Sequence, residues 1–168
     1  MGAYPPMSKI TPKREPVVLP PRAPCTCGSL RKASRRVSQF YDTALAPVGI
    51  KSTQFSILTE VERRSTVGEV FMHELAAAMV MDRSTLGHNL RPLERDCLLA
   101  LRRSPRDGRK RHVELTSKGK NVLRRARRMW KMAEGRFESI YGKKSAADLR
   151  SVLLNIANNE ELNTYSIR

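Results

Sequence analysis

Asp82-Arg83-Ser84-Thr85, followed a turn later by His88 and Asn89, places six hydrogen-bonding side chains at the start of an apolar repeat. Asp82 is a good helix N-cap, because its carboxylate can accept from backbone N–H groups two or three residues on. Free N–H groups and the positive dipole end at such a terminus suit a phosphate. The side chains of Arg83, Ser84, Thr85, His88 and Asn89 suit the donor and acceptor pattern of base edges in a major groove. A second set lies at 102–111, where Arg102, Arg103, Arg106, Arg109, Lys110 and Arg111 face a single acid, Asp107. Packing does not account for so basic a tip. Its natural use is beside or inside a minor groove, where arginine senses the negative potential. Arg106, Arg109, Lys110 and Arg111 therefore join the candidate contacts to double-stranded DNA, with Asp107 as a local brace. A third set is Cys25-Thr26-Cys27, at a helix start, a position that favours the reactive thiolate. Arg31 and Lys32 lie one turn on.

Other chemistry is poorly represented. The sequence shows no paired carboxylates, no nucleophile triad and no glycine-rich phosphate loop, which argues against an enzyme. Two cysteines one residue apart do not make a closed four-ligand site, so no metal and no cofactor is implied. His73 and His112 read as surface or strand residues. The odd cysteine count (Cys25, Cys27 and Cys97) argues against a disulfide framework.

The charge balance points the same way as the motifs. There are 32 Lys and Arg against 16 Asp and Glu, a formal net charge of +16. Such an excess repels itself in the compact state and calls for a polyanionic partner, and nucleic acid is the first candidate. No apolar run approaches the ~20 residues of a membrane-spanning helix, and no signal-peptide pattern opens the chain. No membrane partner and a cytoplasmic location are therefore expected.

The elements that must position these residues can be read from periodicity. Residues 1–24 hold seven of the ten prolines and are basic, which predicts an extended or disordered arm. Leu30, Ala33, Val37, Phe40, Tyr41 and Ala44 recur at helical spacing until Pro47 and Gly49 break the chain. Ser52-Thr53-Gln54 reads as a polar cap before a short helix with Phe55, Leu58 and Val61 inward and Ile57 beside them. Residues 70–72 predict a brief strand. Residues 74–79 form a short helix of strong formers, Val80-Met81 a turn, and Leu86, Leu90 and Leu93 the inner stripe of a second helix, with Pro92 expected to kink or end it. Alternating residues at 98–101 and 111–115 predict two strands joined by the basic tip. Thr116 caps a long helix with the stripe Val122, Ala126, Met129, Trp130, Ala133, Phe137, Ile140 and Tyr141. A last helix carries Ala147, Leu149, Val152, Leu153 and Ile156.

Two short helices joined by a tight turn are a helix-turn-helix, and a basic hairpin behind them makes a winged helix. The fold class is mostly α with a small β-wing: a winged helix-turn-helix domain at 47–116, and a helical dimerisation region at 25–46 and 117–168. The stripes of the first and last two helices are too apolar for water, which predicts a homodimer. Its two recognition helices would lie about one DNA turn apart, ~34 Å.

Glu74-Leu75-Ala76, Asp82-Arg83-Ser84-Thr85-Leu86, Leu93-Glu94-Arg95-Asp96 and Asp107-Gly108-Arg109 through Leu115-Thr116 resemble the signature of the MarR family of transcription regulators, in order and spacing, over roughly residues 25–160. The resemblance implies a homodimer of intertwined terminal helices and a pseudo-palindromic operator. It also implies a regulator, usually a repressor, released by a small molecule or an oxidant. Ser84, Thr85, His88 and Asn89 match its recognition-helix contacts and Arg109 its wing-tip arginine. His88 stands where many members have arginine, and Cys97 where glycine is common. In peroxide-sensing members a reactive cysteine matches Cys27, with Cys25 beside it, and Tyr41 also matches. The second-helix tyrosines of those sensors are replaced here by Ser52 and Phe55. Tyr41 is thus a candidate for the effector site, and a small aromatic or phenolic compound is the expected effector. Two other readings remain open at this level: a thiol-based peroxide sensor using Cys27, and a sequence-indifferent nucleic-acid packaging protein.

Overall fold

The computed structural model of this chain describes residues 25–104 and 111–163. The proline-rich segment 1–24 and the centre of the basic tip, 105–110, fall outside the described residues. The elements run α1 (Thr26–Leu45), α2 (Ser52–Ser65), β1 (Val70–Phe71), α3 (Met72–Ala78), α4 (Arg83–Arg95), β2 (Leu99–Arg103), β3 (Arg111–Leu115), α5 (Ser117–Tyr141) and α6 (Lys143–Ala157), with short 3-10 turns at Ala46–Val48 and Glu160–Asn163.

Local signals set most boundaries. Asp82 caps α4 by accepting from Thr85 N at 2.8 Å, and Thr116 caps α5 by accepting from Gly119 N at 2.9 Å. The start of α2 is different. The reading of Ser52 as its own cap is corrected, because Ser52 is the first helical residue. Its N and Oγ both donate to Asp42 Oδ1 of α1 at 2.6 Å. One α1 carboxylate therefore satisfies a helix terminus and pins α2 to α1. Met72, expected in the strand, begins α3 instead. Pro92, expected to kink or end the second helix, does not end α4, which runs on to Arg95.

The three strands form an antiparallel sheet in the order β1-β3-β2. Leu99 pairs with Leu115 and Leu101 with Val113, so the alternating apolar residues share a face. That face closes onto Leu58 and Val61 of α2, Leu75 of α3, and Leu86, Leu90 and Leu93 of α4 in one buried cluster. Leu45 at the end of α1 and Leu123 and Ala126 of α5 complete it. Leu123 is buried while Val122, the residue expected inward, is only packed against the cluster. Full burial of a Leu-sized side chain contributes about 1.5–3 kcal/mol, so this lobe has a core of its own.

The other end of the molecule is joined by polar contacts. Tyr41 OH of α1 donates to Glu134 Oε2 of α5 at 2.5 Å. Arg150 of α6 pairs with Glu134, and with Glu138 at 3.2 Å. Among the described residues, no helix is long and apolar enough to cross a membrane.

Candidate nucleic-acid interface

α4 buries Leu86, Leu90 and Leu93. At about 100° per residue, its opposite face presents Ser84, His88, Arg91 and Arg95, spaced i, i+4, i+7 and i+11, and all four are exposed. Arg91 was not among the sequence candidates. Following the stripe one turn beyond His88 would have found it. The ion pairs at this end are Arg95 with Asp96 at 3.0 Å and Arg102 with Glu114 at 2.8 Å, and among the described residues none engages Arg83, His88 or Arg91.

The N-terminal turn of α4 is wired internally. Asp82 accepts from Thr85 N at 2.8 Å, from Ser84 Oγ at 2.7 Å and from Thr85 Oγ1 at 2.7 Å. These bonds, led by the Thr85 backbone N–H, hold the Asp82 carboxyl well below the usual carboxylate range. They also commit the Ser84 and Thr85 hydroxyl protons. With their protons spent, both oxygens are left as acceptors, a chemistry that suits exposed amino groups such as those of adenine or cytosine. Asn89 Nδ2 donates to Thr85 O at 2.8 Å, which leaves its Oδ1 as an acceptor too. The donors this face offers are Arg83, His88, Arg91 and the second N–H of Asn89 Nδ2.

The turn before α4 has a backbone signature. Val80 sits at φ 50, a conformation that favours glycine, and Cys97 just after α4 sits at φ 56. At Cys97 the resemblance expects glycine, and the left-handed backbone there is the conformation glycine adopts without strain.

At the wing, Arg103 lies opposite Arg111 across the β2–β3 ladder, and both are exposed. Like charges paired directly across strands repel, a cost a polyanion would offset. Arg106, Arg109 and Lys110 lie outside the described residues. The wing's base is held by a polar clasp that sequence reasoning missed. Buried Ser104 donates to Glu69 Oε2 at 2.8 Å, and His112 Nδ1 stands 3.3 Å from Glu69 Oε1.

The thiol candidates lie elsewhere. Cys25, rather than Cys27, is the N-cap of α1, with Gly28 N donating to its Sγ at 3.4 Å. Both thiols are exposed. Tyr41 is partly buried on α1, and its pKa is raised, first by burial and then by its hydrogen bond to Glu134. Phe55 stacks on Trp130 with ring centroids 6.0 Å apart, and Ser52 is bound to Asp42.

No family model and no curated protein matches the sequence. Solved structures do. The Mycobacterium tuberculosis transcriptional regulator MosR in complex with DNA is 31% identical, with a TM-score of 0.73, and the match covers 84% of this chain and all of that one. The transcriptional repressor CouR bound to a 23-mer DNA duplex is 28% identical, TM-score 0.72, covering 80% of this chain and 93% of that one. The same repressor has been solved with p-coumaroyl-CoA, at 26% identity and TM-score 0.71 over 80% of this chain and 93% of that one. A MarR-family regulator from Rhodococcus sp. RHA1 shares the fold at 21% identity and TM-score 0.67, over 81% of this chain and 99% of that one. These relatives are transcription regulators rather than enzymes. A winged helix-turn-helix with its helices and wing strands in this order, matched over 84% of the chain by a regulator 31% identical, establishes that the chain belongs to the MarR family of transcriptional regulators.

Proposed function

We propose that this protein is a homodimeric, sequence-specific DNA-binding repressor of the cytoplasm. It docks two α4 helices and two wings on a pseudo-palindromic operator and is released by a small aromatic effector. The observation that carries the reading is the outward stripe of α4. Ser84, His88 and Arg91 stand exposed opposite three buried leucines, flanked by Arg83 and an acceptor array ordered by Asp82. Arginine bidentate to guanine is the commonest specific base contact. The wing residues Arg106, Arg109, Lys110 and Arg111 supply minor-groove and phosphate contacts.

Dimerisation is supported by surface left uncovered. Residues 26–36 of α1 are exposed on every side, although an isolated helix of that length is marginal in water. Leu149, Val152, Leu153 and Ile156 form an exposed i, i+3, i+4, i+7 stripe on α6. An aromatic effector is supported by the CouR structure with p-coumaroyl-CoA, and Tyr41, at the junction of α1 and α5, is the nearest candidate for its site.

The test is selection of bound duplexes from a random DNA library, followed by titration. A two-fold motif is expected. Arg91→Ala should cost about 1–3 kcal/mol there and relax one position in each half-site. Enrichment of no motif, with equal affinity for scrambled duplexes, would instead establish a packaging protein.

A thiol-based release is a second reading, favoured by two exposed cysteines at the α1 N-terminus, one of them the cap itself. Under it, an organic peroxide dissociates the wild-type complex but not Cys25→Ser or Cys27→Ser. Equal release from all three proteins would discard it.

A further inference from the structure

The join between α4 and α5 is tighter than chain continuity requires. The last turn of α4 closes when Asp96 N donates to Pro92 O and Cys97 N to Glu94 O, each at 2.9 Å, and Leu98 N to Leu93 O at 2.8 Å. The carbonyls of these same three residues then receive the first turn of α5. Lys118 Nζ donates to Asp96 O at 2.9 Å, Thr116 Oγ1 to Cys97 O at 2.7 Å, and Thr116 N to Leu98 O at 3.2 Å. Lys118 also sets a cation at the negative end of α4. Gly119 lies so close that a Cβ added there would fall 2.0 Å from Leu98 O and 2.9 Å from Leu98 C. Neither atom can yield, because both belong to backbone fixed at the end of α4.

We propose that Thr116, Lys118 and Gly119 are specificity-determining positioning residues, a clamp that references the recognition helix to the long helix α5 and so sets the half-site spacing the dimer accepts. This rests on the dimeric reading above. α5 has 25 residues, about 38 Å of rod. Its first half packs in the winged-helix core and its second half carries exposed Met132 and Ile140 at the uncovered end. With the clamp closed, α4 cannot rotate about its own end independently of that rod. A tilt of α5 therefore moves the reading head directly, and the polar contacts fix the angle from which it starts.

The experiment uses the full-length protein and the two-fold site it selects from a random library, rebuilt with the central spacer one base pair longer or shorter. A single half-site duplex is included. Wild type should lose affinity on the order of tenfold or more when the spacing changes. Gly119→Ala, which must push α5 off Leu98, should move or flatten that spacing profile while binding the half-site within about twofold of wild type. Lys118→Met keeps the α5 cap and the packing, and should flatten the profile to a smaller degree. It decides the matter if Gly119→Ala does not fold. A folded variant pair with the wild-type spacing profile overturns the clamp. So does an equal loss on every duplex, half-site included, because it marks general destabilisation. A wild type that selects no two-fold site overturns the dimeric reading, and the clamp falls with it.

Discussion

The two ends of this molecule bury apolar side chains to very different degrees. In the winged-helix lobe, Leu58, Leu75, Leu86 and Leu93 are fully buried. On α6, Leu149 is 44% exposed, Val152 54% and Leu154 61%, although α6 is as regular a helix as any in the lobe. Both regions are patterned at 3.6-residue spacing, so amphipathicity alone does not separate them. The difference lies in what faces the stripe. α4 meets α2, α3 and the sheet, whereas α6 meets α5 along one side and is tied to it by Arg150, Glu134 and Glu138. The first region is a completed domain. The second has polar contacts between its helices and an apolar stripe left uncovered, which is what half of the proposed dimer interface requires.

That contrast predicts where a substitution acts. Leu149→Glu together with Leu153→Glu should leave helical content intact and yield a monomer in sedimentation. Losing bivalent engagement should weaken operator binding about 10²–10⁴-fold. A stable dimer carrying both charges would place the interface elsewhere. Next in size is Leu86→Ala, which should lower stability by about 2–5 kcal/mol. Its loss should not depend on protein concentration relative to wild type, whereas the Tm of a Leu149→Ala variant should vary with concentration. If both variants behaved alike, the two ends would not be energetically distinct.

How much of this was legible depends on range along the chain. The caps Asp82 and Thr116 act on residues three positions away, and their side-chain types announce them. The leucine stripe of α4 and the register-bearing residues of β3 are likewise local. Asp42 on Ser52, Glu69 between Ser104 and His112, and Tyr41 on Glu134 join residues 10, 35 and 93 positions apart in the hydrogen bonds concerned. No spacing rule marks such pairs. Leu123 was missed in favour of Val122 because both fit a broad helical stripe, and only the packed neighbour decides between them. Arg91 carries no local mark of its own: it lies beyond the capped N-terminal turn of α4, and only the helical repeat from Ser84 and His88 sets it on the same exposed face.

Within the completed lobe, the backbone itself is under strain at both ends of the recognition helix. A non-glycine residue in the left-handed region costs about 1–2 kcal/mol, and Val80 at φ 50 carries the added crowding of a branched Cβ. Val80→Gly and Cys97→Gly should each raise the urea midpoint at unchanged m-value, by roughly 1 kcal/mol after glycine's greater unfolded-state freedom is offset. A fall in midpoint would mean that the side chains contribute more through packing than the backbone loses. Val80 is 69% exposed, so that outcome is less expected there than at a buried site.

The smallest effect belongs to the cap on which that helix starts. Asp82 is ionised in the native state to lower pH than in the unfolded chain, because Thr85 N, Thr85 Oγ1 and Ser84 Oγ all donate to it. A depressed native pKa contributes stability that is fully present above the unfolded aspartate value of about 3.9 and is lost as pH falls through the native value. Asp82→Asn preserves a good capping side chain but removes the charge. The stability gap between wild type and Asp82→Asn should therefore be widest near neutral pH and close in acid, with wild type the more stable. In the proposed docking the same charge would repel phosphate, so Asp82→Asn should bind scrambled duplex slightly more tightly while discriminating less, because Thr85 Oγ1 loses the Oδ2 acceptor that orders its hydroxyl. A gap that stayed constant with pH, or a variant that gained affinity without losing discrimination, would mean that the carboxylate serves the helix alone.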